Sequence, residues 1–387
     1  MWNMANTRSI LIINRTFPPS FGATGRMACD LALHLRHQGH KVTILTTAEI
    51  EKIDHAKNLD VIRIGTPQKP RGIFDYLKIL WAIYRKTKKL PNHDIVISMT
   101  DPPLQAIIGD KIAKKMNAKH IHWAMDLYPD LLPTLGTKIH PFIFNIIKSK
   151  IYTVYKKTDA LVTISKCMAR YLTHHGVART NMHVIENWPD KYLREDNDEP
   201  AQSLLDDEKF RILYAGTIGL AHDFDTVLKS AKYLQKHAPN IEFIFTNRGG
   251  AKDALASKIK KHGLRNIQLI SPQPSKKLSS LMASGDLHLI TMKKGAIGKL
   301  FPSKFYSALA AGRPSLFIGP NTCNLHNKII DSNIGLSVSN GDAKSLTQGI
   351  LKYYNDGDMW FTHCANAKKI MGNHNPLDQW TNLINSL

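Results

Sequence analysis

Short apolar strands alternate with amphipathic helices along almost the whole chain, in two successive series separated by one polar stretch. In the first series, strands are expected at Ser9 to Asn14, Lys41 to Thr46, Val61 to Ile64, Asp94 to Met99, Lys119 to Trp123 and Ala160 to Ile164. An amphipathic helix covers Thr24 to His37, with Gly39 placed to end it. The second series has strands at Phe210 to Ala215, Ile241 to Thr246, Ile267 to Ile270, Asp286 to Met292, Ser315 to Ile318 and Gly335 to Val338. Such alternation implies parallel sheets covered by helices. The expected fold is therefore α/β: two Rossmann-like, doubly wound domains facing each other across a cleft, with ligands held at the carboxyl ends of the strands.

The boundaries follow from the same pattern. Residues 1–190 make an N-terminal domain, the polar run 191–208 a linker, and residues 209–370 a C-terminal domain. The segment 371–387 reads as a terminal helix that crosses back to the first domain. A length of 387 residues fits two cores better than one.

The formal charge of +21 calls for an anionic partner, and the N-terminal part carries more of the excess, with 27 Lys and Arg against 14 Asp and Glu in residues 1–190. The sharpest patch is Arg71 to Leu90, where Phe74 and Trp81 are followed by Arg85 and Lys86. That composition suits a helix lying against an anionic membrane surface, or an ordinary packing helix with solvated lysines. Pro141 to Lys157 has the same character. No RNP sequence or helix-turn-helix signature accompanies the charge, so nucleic acid is the weakest of the anionic partners. No segment has the roughly 20 apolar residues of a membrane span, and the first strand is too short for a signal-peptide core. A cytoplasmic location, peripheral to the inner face of the membrane, is expected. The four cysteines are scattered without ligand spacing, which gives neither a disulfide framework nor a zinc site.

The strongest chemical signal is Pro302-Ser303-Lys304-Phe305-Tyr306, running to Ala310-Ala311-Gly312-Arg313-Pro314. A hydroxyl (Ser303), an ammonium (Lys304) and helix amides after a strand and a turn can hold a diphosphate without a metal. Gly216 and Gly219 allow backbone to approach phosphates after the first strand of the second domain, and Arg248 and Lys299 add charge nearby. Asp223 and Asp225 form a DxD, but at a helix start they read as caps, so no metal and no other cofactor is expected. The stretch Gly295 to Lys299 is not a P-loop, because Lys293 and Leu300 stand where glycine and Ser or Thr are required. No GxSxG elbow or HExxH supports a hydrolase.

In the first domain, Gly22 and Gly25 open the first helix, either as a ligand-contacting loop or as a simple tight turn. Asp126, in His122-Trp123-Ala124-Met125-Asp126, leaves a strand where the cleft should be, and a carboxylate there can orient or deprotonate an acceptor hydroxyl or cap a turn. It is preferred to His122, which the strand alternation turns toward the sheet layer. Glu186, near the linker, reads as part of the hinge.

Taken in order, the Phe17-Pro18-Pro19 loop, Asp126-Leu127-Tyr128-Pro129-Asp130, Ile164-Ser165-Lys166, Ile185-Glu186-Asn187-Trp188, Gly216 to Thr226 and the Pro302 to Pro314 region resemble the bacterial family 4 glycosyltransferases of the GT-B fold over nearly the whole chain. The nearest resemblance is to the subgroup that builds lipopolysaccharide O-antigen, capsule or exopolysaccharide, some of whose members transfer N-acetylated aminodeoxy sugars. The resemblance implies retaining, metal-independent transfer from a nucleotide sugar, most simply UDP-linked, to a lipid-diphosphate-linked glycan. In such a transfer the departing diphosphate assists the incoming hydroxyl. It places the donor on the C-terminal domain, where Gly216, Thr217, His222, Ser303, Lys304 and Ser307 are the expected contacts, His222 when protonated, with Arg248 and Lys299 rebuilding the contacts that depart from the family pattern. Two family glutamates are replaced, by Lys299 and Ser307, and an Arg and a Lys found in many members are here Thr217 and His222. These departures keep open a non-catalytic nucleotide-sugar binder in an assembly complex, and a nucleotide-sugar 2-epimerase of the same fold is a further alternative.

Overall fold

The computed structural model describes residues 7–20, 22–54, 59–66, 70, 72–193, 209–246 and 248–387. Within the expected linker, residues 191–193 form a short 3-10 turn, and 194–208 lie outside the described residues.

The first half contains β1 (Ser9–Ile13), α1 (Ala23–His37), β2 (Lys41–Ala48), β3 (Lys52–Asp54), β4 (Asp60–Gly65), α2 (Ile73–Thr87), β5 (Ile95–Met99) and α3 (Gln105–Met116). It continues with β6 (Lys119–Ala124), α4 (Pro141–Lys157), β7 (Ala160–Thr163), α5 (Lys166–His174) and β8 (Met182–Val184). Its sheet has the order β3-β4-β2-β1-β5-β6-β7-β8 and is parallel except for β3, which runs antiparallel to β4. Neither β3 nor β8 was legible, because three-residue edge strands carry no measurable period.

The second half contains β9 (Phe210–Tyr214), α6 (Asp225–His237), β10 (Ile241–Thr246), α7 (Lys252–Lys261), β11 (Ile267–Ile270), α8 (Leu278–Ala283) and β12 (Leu287–Thr291). There follow α9 (Lys304–Ala310), β13 (Ser315–Ile318), α10 (Asn324–Asp331), β14 (Gly335–Val338), α11 (Ala343–Asn355), α12 (Gly357–Gly372) and α13 (Pro376–Ser386). Its sheet is fully parallel, ordered β11-β10-β9-β12-β13-β14. Strand order reverses between β1 and β5 in one sheet and between β9 and β12 in the other. Helices diverge to opposite faces at such points and leave a crevice beyond the strand ends, which is where open α/β sheets bind ligands.

Local sequence accounts for the elements. Met27, Ala28, Leu31, Ala32 and Leu35 are buried along one face of α1, and Gly39 ends the helix region in the left-handed conformation, at φ 91°. Ser165 caps α5 by accepting from the Met168 amide at 3.2 Å.

The two halves share packing. Trp380 of α13 is fully buried, its ring 4.8 Å edge-on from Trp123 of β6, and Trp123 stacks on Trp188 at 5.7 Å. His34 of α1 shares a 2.8 Å hydrogen bond with Thr381, so α13 is tied to the N-terminal domain by both apolar burial and a polar contact.

Candidate donor and acceptor site

The cluster expected to hold the donor begins where β9 ends. Gly216 turns the chain at φ 135°, its amide donating to Thr246 Oγ1 at 2.7 Å and its carbonyl accepting from the same hydroxyl at 2.9 Å. A Cβ on Gly216 would stand 2.6 Å from Lys304 Cε, so only glycine lets this lysine lie against the turn. The Lys304 ammonium sits 4.8 Å over the Tyr214 ring, and no carboxylate among the described residues pairs with it. Burial alone pulls its pKa down to about 8. It remains mostly cationic near neutrality, a charge held against desolvation with no counter-ion among the described residues.

Arg248 joins this rim through backbone. Ile218 donates to the Arg248 carbonyl at 2.6 Å, and Gly249, at φ 121°, packs so closely that a Cβ would meet the Ile218 carbonyl at 2.4 Å. The Arg248 loop is thereby clamped to the Gly216–Gly219 loop, with Arg248 exposed. Thr217 is exposed beside it, its carbonyl accepting from the Tyr214 hydroxyl at 2.9 Å. Ser303 precedes α9, and Ser307 lies one turn into it; both are half-buried, and the Ser303 side chain makes no cap bond. With only seven residues, α9 contributes a weaker dipole than a full helix, so the positive charge here comes chiefly from Lys304.

Two expected donor contacts are corrected. His222 is neutral in this site rather than protonated. Burial, then the charges of Lys304 and Lys293, lower its pKa to about 3, and its Nδ1–H is committed to the Thr291 carbonyl at 2.7 Å. The neutral ring leaves only an acceptor nitrogen. Lys299 is turned elsewhere: its ammonium donates to the Gly295 carbonyl at 2.9 Å and lies 5.9 Å over Tyr171 of α5, in the N-terminal domain. It does not join Lys304 among the described contacts.

In the N-terminal domain, Asp126 follows β6. Burial first, and the neighbouring Asp101 second, raise its carboxyl to about 6. Its backbone pairs with Leu300 in an isolated antiparallel bridge, and the Leu127 amide donates to the Lys299 carbonyl at 2.7 Å. The carboxylate is thus carried on a segment stitched to the turn that leads into α9. It lines a small cavity with His122, Tyr128, Tyr155 and Leu104. His122 is buried, stacked on Tyr155 at 5.3 Å and hydrogen-bonded to Ser98 at 2.9 Å, and burial lowers its pKa to about 3.

Gly22 and Gly25 pack tightly against Thr16 of their own loop. A Cβ on Gly25 would fall 2.7 Å from the Thr16 carbonyl, and one on Gly22 2.8 Å from Thr16 Oγ1. The space these glycines leave is filled by their own loop. Sequence reasoning passed over Arg15 and Asp101, which pair at 2.7 Å where β1 and β5 diverge. The signal was an ionisable residue two positions after the end of each of two central strands. It also missed that the scattered Cys167 and Cys323 meet: the Asn324 amide donates to Cys167 Sγ at 2.9 Å, and hydrogen bonding from Cys323 lowers the Cys167 thiol to about 6.

Glu186 bridges the two halves, accepting from the Tyr306 hydroxyl at 3.1 Å and pairing with Lys328 at 2.5 Å. On α2, Phe74 is 76% and Trp81 60% exposed, with the Arg85 guanidinium 5.1 Å over the Trp81 ring. Lys86 instead pairs with Glu51 at 2.7 Å, so its charge is partly neutralised within the protein. Phe142 and Ile143 of α4 are exposed as well. The DxD residues do not converge: Asp223 accepts from Thr226 and Asn340, and Asp225 pairs with Lys258. Among the described residues no helix is long and apolar enough to cross a membrane.

Comparison with known proteins bears on the fold and the family. The putative colanic acid biosynthesis glycosyl transferase WcaI of Escherichia coli (strain K12) is 31% identical over 160 residues, taking in 40% of this chain and 39% of that protein. Sucrose-phosphate synthase from Thermosynechococcus elongatus superposes with a TM-score of 0.79 at 13% identity, covering 98% of each chain. Anabaena HepE, solved with UDP and glucose, superposes at 0.71 with 14% identity, covering 98% of this chain and all of that one. Residues 24–191 match the profile described as Glycosyltransferase Family 4 and residues 195–370 that described as glycosyl transferases group 1. Between them the two profiles take in most of the chain, which belongs to the bacterial family 4 glycosyltransferases of the GT-B fold.

Proposed function

We propose that the protein transfers a sugar, with retention of anomeric configuration and without a metal, from a UDP-linked donor to a lipid-diphosphate-linked glycan in cell-surface polysaccharide synthesis. The observation that carries the reading is Lys304, a half-buried ammonium with no carboxylate partner among the described residues, lying against Gly216 at the β9/β12 switch point. A leaving diphosphate gains negative charge as the glycosidic bond breaks, and a cation held in a low-dielectric site stabilises that charge more than the ground state. Arg248, Ser303, Ser307 and the amides around Gly216 and Thr217 complete the donor rim in this reading. Asp126, largely ionised near pH 7, orients the acceptor hydroxyl, whose proton passes to the departing diphosphate. The anomeric carbon exchanges the phosphate oxygen for the acceptor oxygen on the same face.

A UDP-linked donor is favoured because the HepE neighbour was solved with UDP. A role in surface polysaccharide is favoured by the likeness to the colanic acid enzyme. The exposed aromatic and basic face of α2 and α4 suits an acceptor presented at the inner, cytoplasmic face of the membrane. An N-acetylated aminodeoxy sugar is the donor sugar to try first.

The test is transfer from a panel of UDP-, GDP-, ADP- and dTDP-sugars to extracted lipid-linked acceptor, with the product anomer read by NMR. Product of inverted configuration, or transfer abolished by chelators and restored by a divalent cation, sinks the mechanism. The turning of Lys299 toward Tyr171 favours one other reading, a non-catalytic nucleotide-sugar binder. Donor binding with no transfer to any lipid-linked acceptor selects it.

A further inference from the structure

A groove of about 500 Å³ opens between α2 and α3, away from the donor rim. Leu80, Trp81, Leu104 and Ile108 contribute to its apolar walls, and Arg85, Lys88 and Lys111 stand at its edge. The three cations are exposed, and no carboxylate among the described residues lines the groove. The nearest acid on α3, Asp110, is paired with Lys114 at 2.7 Å. Apolar walls with a wholly basic edge are complementary to one kind of occupant, an amphiphile with a single apolar chain and an anionic head. Leu104, held at φ 70° just before α3, lines this groove and also the small cavity that contains Asp126.

The structure assigns the α2/α3 groove as the seat of one isoprenoid chain of a phosphorylated lipid, its phosphate met by Arg85, Lys88 and Lys111 and its glycan end directed past Leu104 toward Asp126. The assignment rests on the lipid-linked acceptor proposed above and goes beyond it. A bilayer-facing helix needs only an exposed apolar surface, whereas a groove withdraws a single chain from the bilayer and fixes where its head lies. Volumes of this size are typical of sites that enclose most of a small ligand.

The probe is farnesyl phosphate added to the full chain without vesicles, followed by calorimetry and by Trp81 emission. Saturable one-to-one binding with a change in Trp81 emission is expected, weaker binding of farnesol, and none of inorganic phosphate. Ile108→Phe should fill the groove and weaken farnesyl phosphate at least tenfold, while association with anionic vesicles changes less than twofold. Lys111→Glu, at an exposed position that folding tolerates, should weaken farnesyl phosphate severalfold and leave farnesol unchanged. No saturable binding by the unaltered protein overturns the assignment, as does unchanged farnesyl phosphate affinity in both variants. Equal loss of vesicle and farnesyl phosphate binding in Ile108→Phe also overturns it, because the face is then only a bilayer surface. The two readings separate in the transfer assay. Equal transfer to lipid-linked acceptor by the unaltered protein and Ile108→Phe removes the groove and keeps the function. Groove-dependent farnesyl phosphate binding with no transfer at all removes the function and keeps the groove.

Discussion

The Lys304 ammonium lies 4.8 Å over the ring of Tyr214, with no carboxylate among the described residues to neutralise it. A cation on an aromatic face is favoured electrostatically, yet that attraction is smaller than the hydration it replaces in a buried site. The lowered pKa reports the shortfall, which an incoming diphosphate can make good.

Lys304→Met keeps most of the packing and removes the charge. UDP affinity is expected to fall at least tenfold, equivalent to about 1.4 kcal/mol. Gly216→Ala should weaken UDP binding as well, because a Cβ there displaces Lys304 and the backbone sits at φ 135°. It should also lower stability by about 1–3 kcal/mol, whereas Lys304→Met should leave stability unchanged or raised. Calorimetry with UDP and urea denaturation separate the two; tight UDP binding by Lys304→Met would remove Lys304 from the donor site.

Asp126 has a carboxyl raised from 3.8 to about 6. A raised carboxyl pKa means that the folded state binds the proton more tightly than the unfolded one. Its contribution to stability is therefore full below pH 4 and is lost as pH rises through 6. Asp126→Asn should raise the melting temperature at pH 7.5 and leave it unchanged at pH 3.5. The same carboxyl should give the transfer rate an acid limb with a midpoint near pH 6, and Asp126→Asn should lower turnover with donor affinity nearly intact. An unshifted acid limb in the variant would show that another group titrates.

Trp380 is buried against Trp123, and it carries α13 onto the N-terminal domain. Trp380→Ala should cost about 3–5 kcal/mol. Limited proteolysis should then cut within 371–387, and the protein should lose transfer before it loses UDP binding. Resistance equal to that of the unaltered protein would mean that α13 is held by other contacts.

Asp225 is exposed and paired with Lys258, a surface interaction worth about 0–1 kcal/mol. Asp225→Ala should leave stability and transfer unchanged. Asp223 accepts from the Thr226 amide and hydroxyl at the start of α6, so Asp223→Ala should cost about 1 kcal/mol. Transfer should persist in EDTA in both variants and in the parent. Loss of activity in EDTA, recovered with Mn²⁺, would assign the pair to a metal instead.

The sheets were readable from the chain because strand burial is a local pattern. Ile241 to Thr246 is apolar enough to be a strand by itself, and the structure has β10 at those residues. Lys304 was likewise visible, as a cation just after a strand, a turn and a proline. His222, Lys299, Gly22 and Gly25 looked equally suitable, and the structure engages each of them within the protein. Their roles depend on partners far along the chain or across a loop: the Thr291 carbonyl for His222, the Tyr171 ring for Lys299, and Thr16 for the glycines.

Sequence by itself thus determined the α/β architecture, the basic aromatic character of α2 and the placing of Lys304 at a strand end, since propensity and hydrophobic period act over a few residues. Tertiary structure alone decided which charges remain without a partner, that Asp126 is joined by backbone to the turn before α9, and that α2 and α3 part to form a groove. Desolvation and hydrogen bonding depend on what surrounds an atom in space, and that neighbourhood is set only when segments far apart in the chain pack together.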